Sequence, residues 1–297
     1  MDVFTACLKQ AIVRLPANAM TPSIDLDAYL RRIGYAGPRE PNLAMLRELQ
    51  LLHPTAIAFE NLHTLMGERV ALDLPSLERK LVDARRGGYC FEQNRFFAEV
   101  LATLGYEVVS LSARVVFNHE NEPLGPRTHM VLLVRINGQT HVCDVGFGGL
   151  TPTGPLLLET DIEQATPHER FRLVRSDAIY SLEALLGGEW RPLYLFDLQP
   201  QLPIDFEVAN HYVSTHRDSF FLTTLMAARP ATGCRYGLFN NELTVRHTHG
   251  GADRSTLGSV GELKNALADL FHINLPDGPE LDAALAGIVE RARNAGR

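Results

Sequence analysis

Between residues 25 and 104 the apolar positions recur at helical spacing. Leu26, Tyr29, Leu30 and Ile33 share one face of a helix predicted over residues 25–35. Pro41-Asn42 opens a second helix, carried by Leu43, Leu46, Leu49 and Leu52, and a third runs over residues 91–101 until Gly105 stops it. After Gly105 the period drops to two, with Val109, Leu111, Ala113 and Val115 on one alternating face. Residues 130–147 read as a hairpin with Asn137-Gly138 at its tip, the pair favoured in a type I′ turn. Gly187-Gly188 marks another hairpin, so residues 105–205 are mostly antiparallel β. The last third is mixed. A hairpin over residues 235–246 turns at Asn240-Asn241, and Ser259…Glu262 and Asp277…Glu280 each have capping-box spacing ahead of a helix.

The class is therefore α+β, in three stretches: a helical unit over 1–104, a β unit over 105–205 and a mixed unit over 206–297. A chain of 297 residues is long enough for two or three compact units. Met20 is followed at once by a helix start, so residues 1–19 are expected to be an extension outside the main fold. The composition, 45% hydrophobic and 21% charged, is that of a soluble globular protein. A net charge of -7 opposes general nucleic-acid binding but leaves room for a local basic pocket. No apolar run approaches the roughly 20 residues that span a bilayer, and the N-terminus has no sustained apolar core or small-residue cleavage site. The four cysteines (Cys7, Cys90, Cys143, Cys234) have no CxxC spacing, which gives neither a zinc site nor a dense disulfide framework and is simplest as free thiols in a reducing cytoplasm.

One cysteine stands apart. Cys90 follows Gly87-Gly88 and directly precedes the third helix, in the run RRGGYCFEQN. Two glycines allow a sharp entry into the helix, and a helix N-terminus favours the thiolate, the reactive form of cysteine. The plain alternative is a small buried hydrophobe at a helix start. A nucleophile also needs a base, and the base an orienting group.

The hairpin selects both from eleven histidines and many acids. With Asn137-Gly138 as a two-residue turn, opposed residues have numbers summing to 275. His129 then falls opposite Gly146, and Val131 opposite Asp144. Since opposed residues share a face, His129 and Asp144 become diagonal neighbours on one face, about 5–8 Å apart. The other face takes His141 and Cys143, with Cys143 expected in the core. Each residue alone has a bland alternative: a satisfied barrel histidine, a surface acid, a packed thiol. Phe147 is either core or an apolar wall beside the site. His247-Thr248-His249 lacks a third ligand, so no metal is expected. Gly146-Phe147-Gly148-Gly149 lacks the strand-to-helix setting of a dinucleotide fingerprint, and fits better a close approach of backbone or ligand.

These residues resemble the arylamine N-acetyltransferases. RRGGYCFEQN is similar to the family's active-site signature, and the likeness continues through Phe59-Glu60-Asn61-Leu62, Arg127-Thr128-His129, Asp144-Val145-Gly146-Phe147-Gly148 and the run from Asn210 to His216. The resemblance implies a helical bundle, a β-barrel and an α/β lid, with a Cys-His-Asp triad carried onto Cys90, His129 and Asp144. It implies acetyl-CoA as co-substrate and aromatic amines or hydrazines as acceptors. Gly148, Ser214 and Thr215 become candidates for the coenzyme, and Phe147 and Phe220 for the acceptor. CoA is highly anionic, so arginines or backbone N–H groups are expected near the barrel–lid junction. Two departures stand out: the segment before Met20, and Arg217 where members often carry proline. Enzymes that share a triad leave other readings open, namely a thiol hydrolase or transglutaminase-like protein and an amide synthase that does not use CoA. A binding module with a spent site is a further alternative.

Overall fold

The computed structural model describes residues 24–119 and 122–295; the extension read into residues 1–19 lies outside them. Helices α1 (Leu26–Ile33) and α2 (Leu43–Ala56) follow the predicted spacing, and Asp25 and Asn42 cap them by accepting from Ala28 N and Met45 N. The stretch read as wholly helical also contains a two-residue strand, β1 (Phe59–Glu60). Such a short strand carries no periodicity, so sequence patterning misses it. Short helices α3 (Leu62–Leu65) and α4 (Leu74–Glu78) follow, and then α5 (Cys90–Thr103), whose first residue is Cys90.

Strands β2 (Glu107–Val115), β3 (His129–Ile136), β4 (Gln139–Cys143), β5 (Leu156–Leu157), β6 (Gln164–Ala165), β7 (Arg170–Ser176), β8 (Ile179–Leu186) and β9 (Glu189–Pro200) form one antiparallel sheet, ordered β5-β4-β3-β2-β9-β8-β7-β6. It is a nearly closed barrel. Its two edges meet through Gln164, which accepts from Leu157 N at 2.7 Å and donates to Leu157 O at 2.9 Å. Both glycine-bearing hairpins form as expected. Asn137 and Gly138 take φ of 50° and 80°, as a type I′ turn demands, and the pairs Leu132↔Cys143 through Ile136↔Gln139 all sum to 275.

The near-continuous apolar run of β3 follows from its place between two cores. Met130, Leu132 and Val134 join the helical core around Phe96, Phe97 and Leu101, together with Cys143. Val131 and Leu133 point the other way, into the barrel core with Phe171 and Tyr194. A strand buried on both faces loses polar alternation.

The last part opens with helix α6 (Pro203–Thr215), whose Phe206 and Val213 pack into the helical core. Strands β10 (Met226–Ala231), β11 (Cys234–Phe239), β12 (Glu242–His247) and β13 (Ala252–Thr256) follow, then helices α7 (Val260–Asp269) and α8 (Pro279–Ala295). Here Ser259 caps α7 by accepting from Glu262 N, as its spacing predicted. β1 adds itself to this second sheet, in the order β1-β10-β11-β12-β13, with Phe59 opposite Ala228. A strand from early in the chain thus forms one edge of the sheet built from its last part. No helix among the described residues is long and apolar enough to cross a membrane.

Candidate active site

Cys90 sits at the first position of α5, buried, with its Sγ 3.4 Å from the Thr128 carbonyl oxygen. The glycines before it act by close approach, not by unusual backbone angles as expected: neither has a positive φ. A Cβ on Gly87 would meet the Ala58 oxygen at 2.2 Å and Glu60 Cγ at 2.7 Å. Gly88 N donates to Ala58 O, and Glu60 N to Gly88 O, which ties the Cys90 turn to β1. Beneath it, Glu92 accepts from Tyr89 N and pairs with Lys80 at 2.7 Å, so the helix start is held from its own third position. Arg86 answers a question that its sequence left open. It pairs with the buried Glu60 at 2.9 Å. Burial pushes the Glu60 carboxyl up, but Lys80 and Arg86 outweigh it and hold the group down at about 2. Arg85 is exposed, with its carbonyl accepting from Asn274 N.

The structure brings Cys90, His129 and Asp144 together. His129 Nε2 lies 2.7 Å from Asp144 Oδ2, and the Cys90 side chain is near enough to the same ring to favour its charged form. With Nε2 committed to the carboxylate, Nδ1 is the nitrogen left for the thiol. Both residues are buried, His129 at 2% exposure and Asp144 at 0%. Phe147 stands edge-on to His129 at 5.3 Å, and Tyr194 lies 4.9 Å from it on the barrel side.

The expected ladder does not run as far as these residues. It stops at Leu132↔Cys143 because Asn94 of α5 enters the base of the hairpin. Its Nδ2 donates to Met130 O at 2.7 Å and its Oδ1 accepts from Val145 N at 3.0 Å. Those two backbone groups would otherwise bond each other. Asn94 Nδ2 also donates to Asp144 Oδ1 at 2.9 Å, and Gly146 N donates to the same oxygen at 2.8 Å. Every oxygen of the buried carboxylate is therefore engaged. Sequence reasoning passed over Asn94, though it stands four residues after Cys90 and hence on the same helical face. Gly146 is needed by contact, since a Cβ there would meet Cys90 Cα and Asn94 Nδ2 at 2.8 Å.

The electrostatics favour a charged imidazole. Burial alone would discharge His129, but Asp144 and the hydrogen bonds to Asp144 and Cys90 raise it to about 10. For Asp144, burial pushes upward, yet His129, Asn94 and the Gly146 N–H hold the carboxyl below its ordinary value. A histidine raised on folding stabilises the fold fully below its ordinary 6.5, and loses that contribution as pH climbs to about 10. Denaturant titrations should thus show the stability advantage of wild type over His129→Gln shrinking across this window. A flat difference would contradict the charged imidazole.

A cleft of about 740 Å³ opens onto Cys90 and His129. Phe147, Gly148 and Phe220 line it, as does Phe59 of β1, which sequence reasoning did not select. Phe220 is half exposed at 54% in a short 3-10 turn. Ser214 and Thr215 do not line the cleft: their hydroxyls turn back onto the Asn210 and His211 carbonyls of α6. Asn210 instead accepts from the Tyr89 hydroxyl, which fixes α6 beside the Cys90 turn. Arg246 of β12 and Arg254 of β13 also line the cleft. His247 pairs with Asp253 at 2.8 Å, and no group of three or more His, Cys, Asp or Glu among the described residues is arranged to hold a metal.

A sequence model of the N-acetyltransferase family matches residues 42–279. The arylamine N-acetyltransferase of Mycolicibacterium smegmatis is 41% identical over 274 residues, covering 90% of this chain and 99% of that protein. This chain belongs to the arylamine N-acetyltransferase family. The Escherichia coli member is 38% identical over 260 residues, covering 87% of this chain and 91% of its own. The structure of Mycobacterium marinum arylamine N-acetyltransferase in complex with CoA superposes with a TM-score of 0.85 at 39% identity, over 89% of this chain and 99% of that one. As an arylamine N-acetyltransferase family member the chain is an acyltransferase, and its bundle, barrel and second sheet are the architecture of its solved relatives.

Proposed function

We propose that this chain moves an acetyl group from acetyl-CoA to the nitrogen of aromatic amines and hydrazines, in two steps through a thioester on Cys90. The observation that carries this reading is His129, hydrogen-bonded to Asp144 at 2.7 Å and lining one cleft with Cys90. In the first step the Cys90 sulfur attacks the thioester carbonyl, the bond to the CoA sulfur breaks, and His129 returns a proton to the departing CoA thiolate. The first N–H groups of α5 lack partners within the helix, which favours the oxyanion of the tetrahedral species beside Cys90. In the second step the amine nitrogen attacks the acetyl carbon, His129 takes the amine proton, and the Cys90 sulfur leaves. Asp144 holds the ring and offsets its charge throughout.

The relative from M. marinum binds CoA, and Arg246 and Arg254 offer the anionic coenzyme positive charge along the same cleft. Phe147, Phe220 and Phe59 give a flat aromatic acceptor apolar walls. The test is the first half-reaction alone. Enzyme mixed with acetyl-CoA and no amine should release one equivalent of CoA and gain the mass of one acetyl group on the Cys90 peptide. Turnover of a peptide or an intramolecular amide precursor, with no acetyl adduct, would favour the hydrolase or amide synthase reading.

A further inference from the structure

Gln93 stands three residues after Cys90 on α5, fully buried, and the chemistry above does not use it. Its Nε2 faces three backbone carbonyls, those of Ile57 at 3.2 Å, Ala58 at 2.9 Å and Gly88 at 3.1 Å. Acceptors on every side identify that atom as the NH₂ group, so Oε1 is the one that lies 2.7 Å from His53 Nε2. An amide oxygen only accepts, and His53 Nε2 therefore carries the ring proton and donates it to Gln93. His53 Nδ1 is left as an acceptor, and the Tyr29 hydroxyl donates to it at 2.9 Å. Tyr29 of α1 and His53 of α2 are both buried. Burial first, and Arg32 besides, hold the imidazole down at about 4 against the pull of the Gln93 bond, so the ring is neutral. One tautomer of one neutral ring sets the direction of the Gln93 amide.

The carbonyls that this amide holds belong to two segments that meet at the site. Gly88 and Phe59 face each other in a parallel bridge. Ala58 O accepts from Gly88 N and from Gln93 Nε2, while Gly88 O accepts from Glu60 N and from the same Nε2. Both carbonyls already have a backbone partner, so the fold does not need Gln93 to satisfy them. What the second bonds add is direction. The Gly88 carbonyl is one end of the peptide unit that enters the Cys90 turn, and at its other end Tyr89 N donates to Glu92. Consecutive side chains of α5 thus grip both ends of that unit. The Ala58 carbonyl directly precedes Phe59, a wall of the cleft.

We propose that Gln93 is a positioning residue for Cys90, oriented by His53 and Tyr29, and that its amide fixes the separation between the Cys90 turn and the Phe59 wall. Gln93 is not among the residues that line the cleft, so it acts through the Gly88 and Ala58 carbonyls. The inference rests on Cys90 as the reacting group of the proposed transfer. Alkylation of the thiol reads the turn with no acetyl group present, so the failure of one reading is told apart from the failure of the other.

Gln93→Met keeps the length of the side chain and removes both halves of the amide. The expected result is a fall on the order of 10²-fold in the rate of CoA release from acetyl-CoA, the scale of a small misplacement of a reacting group. Iodoacetamide should alkylate Cys90 more slowly in the same variant, while affinity for CoA stays within about twofold of wild type. Wild-type rates of both reactions in a folded Gln93→Met protein overturn the proposal, even where its unfolding temperature drops, because lost stability alone leaves those rates unchanged. A wild-type protein that releases no CoA sinks the acetyl reading, and the alkylation comparison then decides by itself. A double-mutant cycle tests the link to the ring. His53→Phe should slow both reactions alone and add nothing in the Gln93→Met background, and additive losses overturn the part given to His53. Should Gln93→Met not fold, nitrogen-15 spectra of the wild-type histidine rings decide, with His53 assigned from its contact to the Phe97 ring. They should show the Nε2–H tautomer, with no second proton down to about pH 5. The Nδ1–H tautomer would turn the amide oxygen toward the three carbonyls and overturn the proposal.

Discussion

Cys90→Ala abolishes acetyl transfer, with turnover falling by on the order of 10⁶-fold, the scale seen when a covalent nucleophile is removed. The loss is chemical, because the thiol contributes little to the fold: its side-chain hydrogen bond among the described residues is a 3.4 Å contact to Thr128 O. The turn itself is held by β1, Glu92 and Arg86, which the substitution leaves in place. The variant should unfold at nearly the wild-type temperature, release no CoA from acetyl-CoA and carry no acetyl adduct. Substantial turnover by this variant would mean that the acetyl group passes directly from CoA to the amine, and the two-step reading would fall.

Asp144→Asn is expected to cost on the order of 10⁴-fold in turnover, by analogy with the same change in serine-protease triads. The reason is visible in the hydrogen bonds. Oδ1 of Asp144 accepts from both Asn94 Nδ2 and Gly146 N. An asparagine must keep its oxygen there, which leaves its NH₂ group facing His129 Nε2. The imidazole then has to accept at Nε2 and carry its proton on Nδ1, toward the thiol. A ring in that tautomer cannot take a proton from Cys90 or from the amine. Measured kcat/KM for an aryl hydrazine, with the pH profile of CoA release, checks this. A variant with nearly full activity would remove Asp144 from its role.

How much of this was legible in the chain depends on the range of each interaction. Asn137-Gly138 dictates its turn through local backbone preference, and the alternation of β3 then carries the register toward the site. That chain of inference led from a dipeptide to His129 and Asp144. It failed at the hairpin's base, where the ladder yields to the Asn94 side chain from another element. The same holds for Gly87, which reads as conformational freedom in sequence, whereas what it provides is space for Ala58 O. Gly146 was read as a place of close approach, and it does leave space for Cys90 Cα. Arg86 had no visible partner because Glu60 lies 26 residues earlier on a two-residue strand. Ser214 and Thr215 were singled out by a motif shared with the family, and their hydroxyls donate inside α6, to the Asn210 and His211 carbonyls. Phe59 enters the cleft only because β1 crosses into the second sheet, which no local pattern announces.

That crossing sets an order of events during synthesis. β1 rests on Gly88 along one edge and on Ala227 and Ala228 along the other. Next to it, Asn61 donates to the Phe221 and Thr224 carbonyls and accepts from Met226 N. A ribosome that has finished the barrel has already made Cys90, His129 and Asp144. The strand that braces the cysteine turn still waits for residues some 160 positions downstream, and so do the cleft walls from Phe220 to Arg254. Chains fold broadly from the N-terminus as they emerge, so Cys90 is laid down early and its enclosure closes near the end. A chain cut short before residue 226 keeps Cys90, His129 and Asp144 and lacks the frame around them.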